Sequence, residues 1–193
     1  AVNHYEKNEG QQGFVFAEAL KFQDVRFSYG DNRVVLNGVN LAFQKGEVTG
    51  VIGPSGAGKT TVVDLILRLY KQQGGRILLD NEEISQIDLE AWRNNIGYVS
   101  QDIFLMNDTV ANNIKFYRDD ISQEDIVAAT KMSNIYDFIE SLPEGFSTVI
   151  GERGILLSNG QRQRIVLARI LSKKPQIIIL DEATSALDNE TEV

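Results

Sequence analysis

Eight residues, Gly53-Pro-Ser-Gly-Ala-Gly-Lys59-Thr60, constrain this chain more than any other feature. They follow an apolar run, Val48 to Ile52, and precede Lys59–Tyr70, where Val62, Val63, Ile66 and Leu69 recur at helical spacing. The order predicts a buried strand, a glycine-rich turn and an amphipathic helix. In that setting the pattern G-x-x-x-x-G-K-[ST] reads as a phosphate-binding loop. Its glycines let the backbone curl until successive N–H groups point inward at phosphate oxygens, and the helix start adds a positive dipole end. The loop residues Gly53, Pro54, Ser55, Gly56, Ala57, Gly58, Lys59, Thr60 and Thr61 are therefore the first nucleotide-site candidates. Lys59 would bridge the β- and γ-phosphates, and the Thr60 hydroxyl would ligate Mg²⁺.

A metal beside phosphates also needs a carboxylate held rigidly. Ile177-Ile-Ile-Leu180-Asp181-Glu182 offers two at the end of an apolar strand, and alternation along the chain aims them differently. Asp181 would orient the metal shell, while Glu182 would polarise an attacking water. Alone, either carboxylate also reads as the cap of a following turn.

Around these motifs, short β-like runs (Leu20/Phe22, Val25/Phe27, Val39/Leu41/Phe43) precede the loop. Strands are expected at Ile77–Leu79, Ile96–Val99 and Ile177–Leu180, with a helix capped by Asp88 between the first two. Residues 109–141 are helical in pattern, with a capping box at Ser122-Gln-Glu-Asp125 and a second N-cap expected at Ser133. A further helix is expected from Arg162 to Ser172, stopped by Pro175. The polar, aperiodic residues 1–13 read as a linker or tail, and the only histidine, His4, reads there as exposed and without a role.

Composition excludes several classes. A net charge of −8 argues against a general nucleic-acid binder. No apolar run approaches the roughly 20 residues of a membrane-spanning helix. With no cysteine in the chain, thiol catalysis, disulfides and cysteine-based zinc sites are excluded. Charge is also unevenly placed. Asp102–Glu144 carries nine acids against three bases, whereas Arg153–Lys174 carries six bases and no acid. The acidic stretch reads as solvated helix faces, and the basic one, which encloses the turn Ser158–Gly160, as a solvated face or an anion site.

Leu157-Ser-Asn-Gly-Gln161 followed by Arg-Gln-Arg completes a pattern that ordinary phosphate-loop proteins lack. With it, the sequence from about residue 20 onward resembles the nucleotide-binding domain of an ATP-binding cassette transporter. The resemblance implies an α/β fold. Its parts are a P-loop NTPase (RecA-like) core with a mainly parallel sheet, an N-terminal antiparallel β subdomain and an inserted helical subdomain. Residues 1–17 would be the linker, 18–100 and 172–193 the ATP-binding core, and 101–171 the helical subdomain. Tyr29, by itself a strand-end aromatic, stands where the family stacks adenine. Gln101, by itself a surface amide, stands at the glutamine loop that touches Mg²⁺ and relays to the membrane domain. Ser158, Asn159, Gly160 and Gln161, by themselves a helix-capping turn, would meet ATP held by another subunit. Ser185-Ala-Leu-Asp188 resembles the D-loop.

The implied cofactors are ATP and Mg²⁺, the latter on Thr60, Gln101 and Asp181, with Glu182 and Lys59 as catalytic groups. The implied partners are a second nucleotide-binding domain in a homodimer and a transmembrane domain, expected in the same polypeptide; no nucleic acid is implied. The site of action would be the cytoplasmic face of the plasma or inner membrane, reached only through the transmembrane domain. Thr148-Val-Ile-Gly-Glu152-Arg-Gly154 resembles the segment before the signature in exporters, so the implied function is ATP hydrolysis that powers export. Two alternatives remain, a separate ATPase subunit of an importer and a non-transport cassette ATPase of DNA repair or translation. Two departures stand out. Asn159 replaces the first signature glycine, where a positive φ would cost more for Asn than for Gly. The family's switch histidine would lie past Val193, so residues 1–193 alone are expected to bind ATP but hydrolyse it weakly.

Overall fold

A computed structural model describes residues 6–30 and 33–181. They divide into two units, Ala1–Arg93 and Asn94–Val193, each with its own core. In the first unit, β1 (Ala19–Tyr29) pairs antiparallel with β2 (Arg33–Gln44) on one side and with β3 (Gly74–Leu79) on the other. A two-residue β4 (Glu82–Glu83) completes the order β2-β1-β3-β4. The apolar positions of β1 fall out of strict alternation between Phe22 and Val25. A register shift there, with Asp24 at φ 48°, restores the phase, so Leu20, Phe22, Val25 and Phe27 all face inward.

Helix α1 (Lys59–Ile66) buries Thr61, Val62, Leu65 and Ile66. It stops short of the expected Tyr70 because Arg68 takes a left-handed conformation, φ 53°, and turns its side chain into the core. There the guanidinium Nε donates to Glu6 Oε1 at 2.7 Å, and Nη1 donates to the Ile87 carbonyl at 2.7 Å. Nη2 also lies 2.7 Å from Glu6 Oε1 but off a hydrogen-bonding direction, so Nε carries the directional bond. Helix α2 (Leu89–Asn94) is capped by Asp88, as expected, through Ala91 N–H at 2.8 Å. Its Trp92 is fully buried and donates to the Ile66 carbonyl.

The N-terminal residues are fastened rather than loose from Glu6 onward. Gln11 and Gln12 N–H groups donate to the Gln86 carbonyl, Asp88 N–H donates back to Gln12, and the Asn8 side chain bridges Asp88 and Leu89. Backbone bonds to the 3-10 turn Ile84–Gln86 and a side-chain bridge to the start of α2 leave no periodic trace in the sequence.

One expected strand is absent. Val48 to Ile52 has no regular structure and pairs with no strand among the described residues. Its side chains face solvent, Val48 and Ile52 almost completely. A strand needs a partner edge to satisfy its backbone groups; apolar character alone does not supply one.

The second unit holds the parallel pair β5 (Ile96–Val99) and β6 (Ile177–Leu180), in register from Ile96↔Ile177 to Val99↔Leu180. Both strands lie where the sequence places them. Among the described residues this pair is the parallel ladder, while the antiparallel sheet has four strands. Four helices fill the crossover: α3 (Val110–Lys115), α4 (Gln123–Met132), α5 (Tyr136–Ser141) and α6 (Asn159–Leu171). Their apolar faces share a core with Val99, Leu105, Ile114, Ile139 and Ile165. The Ser122–Asp125 capping box forms as expected. Ser133 does not cap α5. It ends α4 instead, buried, with its hydroxyl donating back to the Thr130 carbonyl. Helix α6 starts three residues before the expected Arg162 because Ser158 caps it.

Candidate functional site

The phosphate loop reaches α1 through two left-handed glycines, Gly56 at φ 80° and Gly58 at φ 91°. Gly58 is the N-cap of α1, and a Cβ there would stand 2.8 Å from Leu36 Cδ2 and 3.3 Å from Val35 Cγ1. A side chain there is strained by conformation and would also have to push Leu36 aside. No side chain caps this helix and no acid sits in its first turn. Its leading N–H groups are thus left for an anion, and nothing negative opposes one. The Lys59 ammonium donates to the Gly53 and Pro54 carbonyls at 2.7 and 3.0 Å, which holds the charge over the loop itself. Gly53, Pro54, Ser55, Gly56, Ala57 and Thr60 are exposed. Thr61 is different. It is 4% exposed and its hydroxyl lies 3.3 Å from the Tyr29 hydroxyl, so only its backbone N–H is left for a phosphate.

Tyr29 ends β1, with 39% of its surface exposed. Its ring stands perpendicular to Phe27 and Tyr70 at 4.9 and 5.5 Å between centroids. The hydroxyl donates to Asp64 Oδ2 at 3.0 Å. Burial raises the phenol above its ordinary value, the Thr61 contact lowers it, and the Asp64 carboxylate raises it further, so the ring stays neutral. The aromatic platform is thereby tied to α1, the helix that closes the phosphate loop. Asp64 escaped the sequence reading because an isolated acid on a helix face carries no motif.

In the second unit, Gln101 and Asp181 emerge from the carboxyl ends of β5 and β6. Parallel pairing of Val99 with Leu180 brings these ends to the same edge, the usual ligand edge of a parallel sheet. Asp181 N–H donates to the Val99 carbonyl at 3.0 Å, and Oδ2 accepts the Tyr98 hydroxyl at 3.2 Å. Tyr98, which the motifs do not include, thus orients this carboxylate. Gln101 is exposed, at the centre of a turn closed by Ser100 Oγ donating to the Asp102 carbonyl. Glu182 and the Ser185–Asp188 segment lie outside the described residues, as does His4.

The signature residues form the start of α6. Ser158 Oγ accepts Gln161 N–H at 3.2 Å, and Gln161 Oε1 accepts Ser158 N–H at 2.9 Å. This reciprocal box turns the Gln161 side chain back onto the helix and leaves the Ser158 hydroxyl proton free to point outward. Asn159 is the first helical residue and has no positive φ, so the conformational cost expected for it does not arise. Its side-chain oxygen accepts the Arg162 guanidinium, which also approaches the Arg153 carbonyl.

Among the described residues no three acids or histidines gather as a metal cluster. Of the three residues expected to hold Mg²⁺, Gln101 and Asp181 stand at the β5–β6 edge of the second unit and Thr60 at the start of α1 in the first; each offers an oxygen, the donor type a hard cation takes.

A family model described as ABC transporter matches residues 36–185. The chain is 44% identical over 173 residues to the mitochondrial iron-sulfur clusters transporter ATM1 of Gibberella zeae, covering 90% of this chain and 25% of that protein. It is 48% identical over 174 residues to an ATP-dependent lipid A-core flippase of Chromobacterium violaceum, covering 90% of this chain and 30% of the other. A bacterial Atm1-family ABC exporter, solved with ATP bound, superposes with a TM-score of 0.86 at 39% identity, covering 95% of this chain and 32% of that one. The chain thus spans a quarter to a third of the length of these relatives.

Proposed function

The chain belongs to the ABC transporter family, and on that premise we propose that it is the nucleotide-binding domain of an exporter, hydrolysing ATP to drive transport. The observation that carries this reading is the phosphate loop. Two left-handed glycines deliver an uncapped, acid-free helix start with Lys59 folded over the loop. Relatives named as a flippase and as an Atm1-family exporter support the exporter class.

In this proposal adenine stacks on Tyr29, and the backbone from Gly53 to Thr61 takes the phosphates with Lys59. Mg²⁺ neutralises charge on the phosphates when bound. Thr60, Gln101 and Asp181 are its proposed ligands. Glu182 polarises the attacking water. Ser158, Asn159, Gly160 and Gln161 meet the γ-phosphate of ATP held by a second copy, so ATP favours a head-to-tail homodimer. Residues 101–171 form the helical subdomain that faces a transmembrane domain, proposed to lie in the same polypeptide at the cytoplasmic face of the membrane. Among the described residues no helix is long and apolar enough to cross a membrane.

The test uses Glu182→Gln and Lys59→Ala in the full-length protein. Glu182→Gln should retain ATP and accumulate an ATP-bound dimer by light scattering, with hydrolysis reduced at least about a hundredfold, the cost of one misplaced reacting group. Lys59→Ala should lose ATP binding. Unchanged turnover in Glu182→Gln, or a monomer at saturating ATP, overturns the reading.

A further inference from the structure

Arg169 lies in the last turn of α6, eleven residues after Ser158 and only 8% exposed. Its guanidinium joins three segments. Nε donates to the Asn113 carbonyl at 2.7 Å and Nη1 to the Phe104 carbonyl at 2.9 Å. Nη2 reaches Asn113 Oδ1 at 3.4 Å, and the guanidinium carbon stands 4.6 Å from the centre of the Phe116 ring.

Asn113 is fully buried. Its Oδ1 also accepts Met106 N–H at 2.8 Å, and its Nδ2 donates to the Met106 and Thr109 carbonyls, each at 3.0 Å. Main-chain groups of residues 104, 106 and 109 are therefore held by two side chains, one from α3 and one from α6. The loop so held begins three residues after Gln101.

This arrangement is expensive for a merely space-filling role. Burial alone lowers the Arg169 pKa to about 10, and among the described residues no carboxylate pairs with it. A Met or Leu would fill the same volume without desolvating a charge. What an apolar side chain lacks is the planar fork that grips two carbonyls and an amide oxygen at fixed angles. Helix α6 then carries that grip about 16 Å, at 1.5 Å per residue, to its capped start at Ser158.

We propose that Arg169, acting through Asn113, is a positioning residue that makes loop 104–109 and the signature start of α6 move as one body. The proposal rests on the nucleotide-site reading above for its catalytic consequence. When ATP draws Ser158–Gln161 toward the γ-phosphate, the segment leading from Gln101 is displaced with it. A movement at either end is then felt at the other.

Two measurements on the full-length protein test this. The first needs no nucleotide. Amide hydrogen exchange of wild-type protein, followed through sub-denaturing urea, should show Met106, Asn113 and Arg162 opening together with one denaturant dependence. Arg169→Lys, which keeps the charge but not the fork, should speed exchange at all three by about tenfold or more. Separate openings in the wild type overturn the linkage even if no variant folds. The second is turnover. Arg169→Lys should lower kcat about tenfold, with KM for ATP changed less than twofold, well below the unfolding temperature. Adding Asn113→Ala should lower kcat little further, since the two act through one network. A lowered melting temperature with kcat intact assigns Arg169 to stability alone and overturns the proposal. If the wild type does not hydrolyse ATP, the nucleotide reading fails, while the exchange result still decides whether the two segments are linked.

Discussion

Tyr29 shows how much one side chain can be asked to hold. Its ring is the proposed platform for adenine, while its hydroxyl is spent on Asp64 and Thr61. The two roles separate by substitution. Tyr29→Ala should weaken ATP binding by about one to two decades, the range expected from losing a stacked base worth about 1–3 kcal/mol. Tyr29→Phe keeps the face and loses the tether, so it should cost about 1 kcal/mol of stability with a smaller loss of affinity. Tyr29→Trp should bind ATP well for the same reason. Titration with a fluorescent nucleotide, paired with thermal melts, checks all three. Equal affinity in Tyr29→Ala would remove the stacking role. Asp80 offers a second residue-scale test, in pH. Burial would raise its pKa, but N–H donors from Ala17, Glu18 and Ala19, all within 2.9 Å, outweigh it and hold the carboxyl below the ordinary 3.8. A depressed folded pKa contributes stability above the unfolded value and loses it as pH falls through the folded one. Acid unfolding below about pH 4 should therefore be less steep in Asp80→Asn, which lacks this titration; identical acid profiles would remove the carboxylate from the account.

At the scale of elements, what could be read in advance is what repeats. β5 and β6 came out at their expected bounds because a short run of β-branched and aromatic residues between polar neighbours leaves little choice. The Ser122 and Asp88 caps came out because each hydrogen bond spans three residues of adjacent chain. The failures share a cause. Val48 to Ile52 has a strand's composition, but no strand pairs with it among the described residues. Ser133 has a cap's chemistry, but burial behind α4 turns its hydroxyl to Thr130. Of the site, the glycine loop and signature were legible as motifs. Asp64, Tyr98, Asn113 and Arg169 were not, since each acts through a partner between 35 and 83 residues away in sequence. The cap at α6 gives an element-scale prediction. Ser158→Ala should cost about 0.5–2 kcal/mol of stability, as lost N-caps do, and Ser158→Asp should recover it. If Ser158 also meets the γ-phosphate, Ser158→Asp should restore the melting temperature and yet fail to restore turnover, because a carboxylate repels phosphate. Recovery of both would confine Ser158 to capping.

At the scale of the whole chain, the polar segment from Glu6 to Gln12 is tied to the first unit through Glu6, Asn8, Gln11 and Gln12. Glu6 lies 62 residues before Arg68, and their side chains are 4% and 0% exposed. Arg68 lies two residues past the end of α1, whose other end is the phosphate loop, and stacks 5.9 Å from the Trp92 ring centre. Glu6 is thus fastened to the far end of the helix that closes the phosphate loop. Removing one partner of such a buried pair leaves a desolvated charge, which costs about 3–5 kcal/mol. Glu6→Ala should lower stability by that amount, and Glu6→Gln by less, since its amide oxygen still accepts from Nε. The effect should be local. Exchange should quicken first at Leu67, Arg68 and Leu89, whose amides lie beside the pair and the Asn8 bridge. It should leave Ile165 and Val166, in the core of the second unit, unchanged under native conditions. Reducing the pair's two charges to none, with Glu6→Leu and Arg68→Met together, should recover much of the loss in Glu6→Ala because no charge is then buried. If the double variant is as unstable as the single, the stability lies in the segment's backbone bonds to Gln86 and Asp88, and the ion pair contributes register alone.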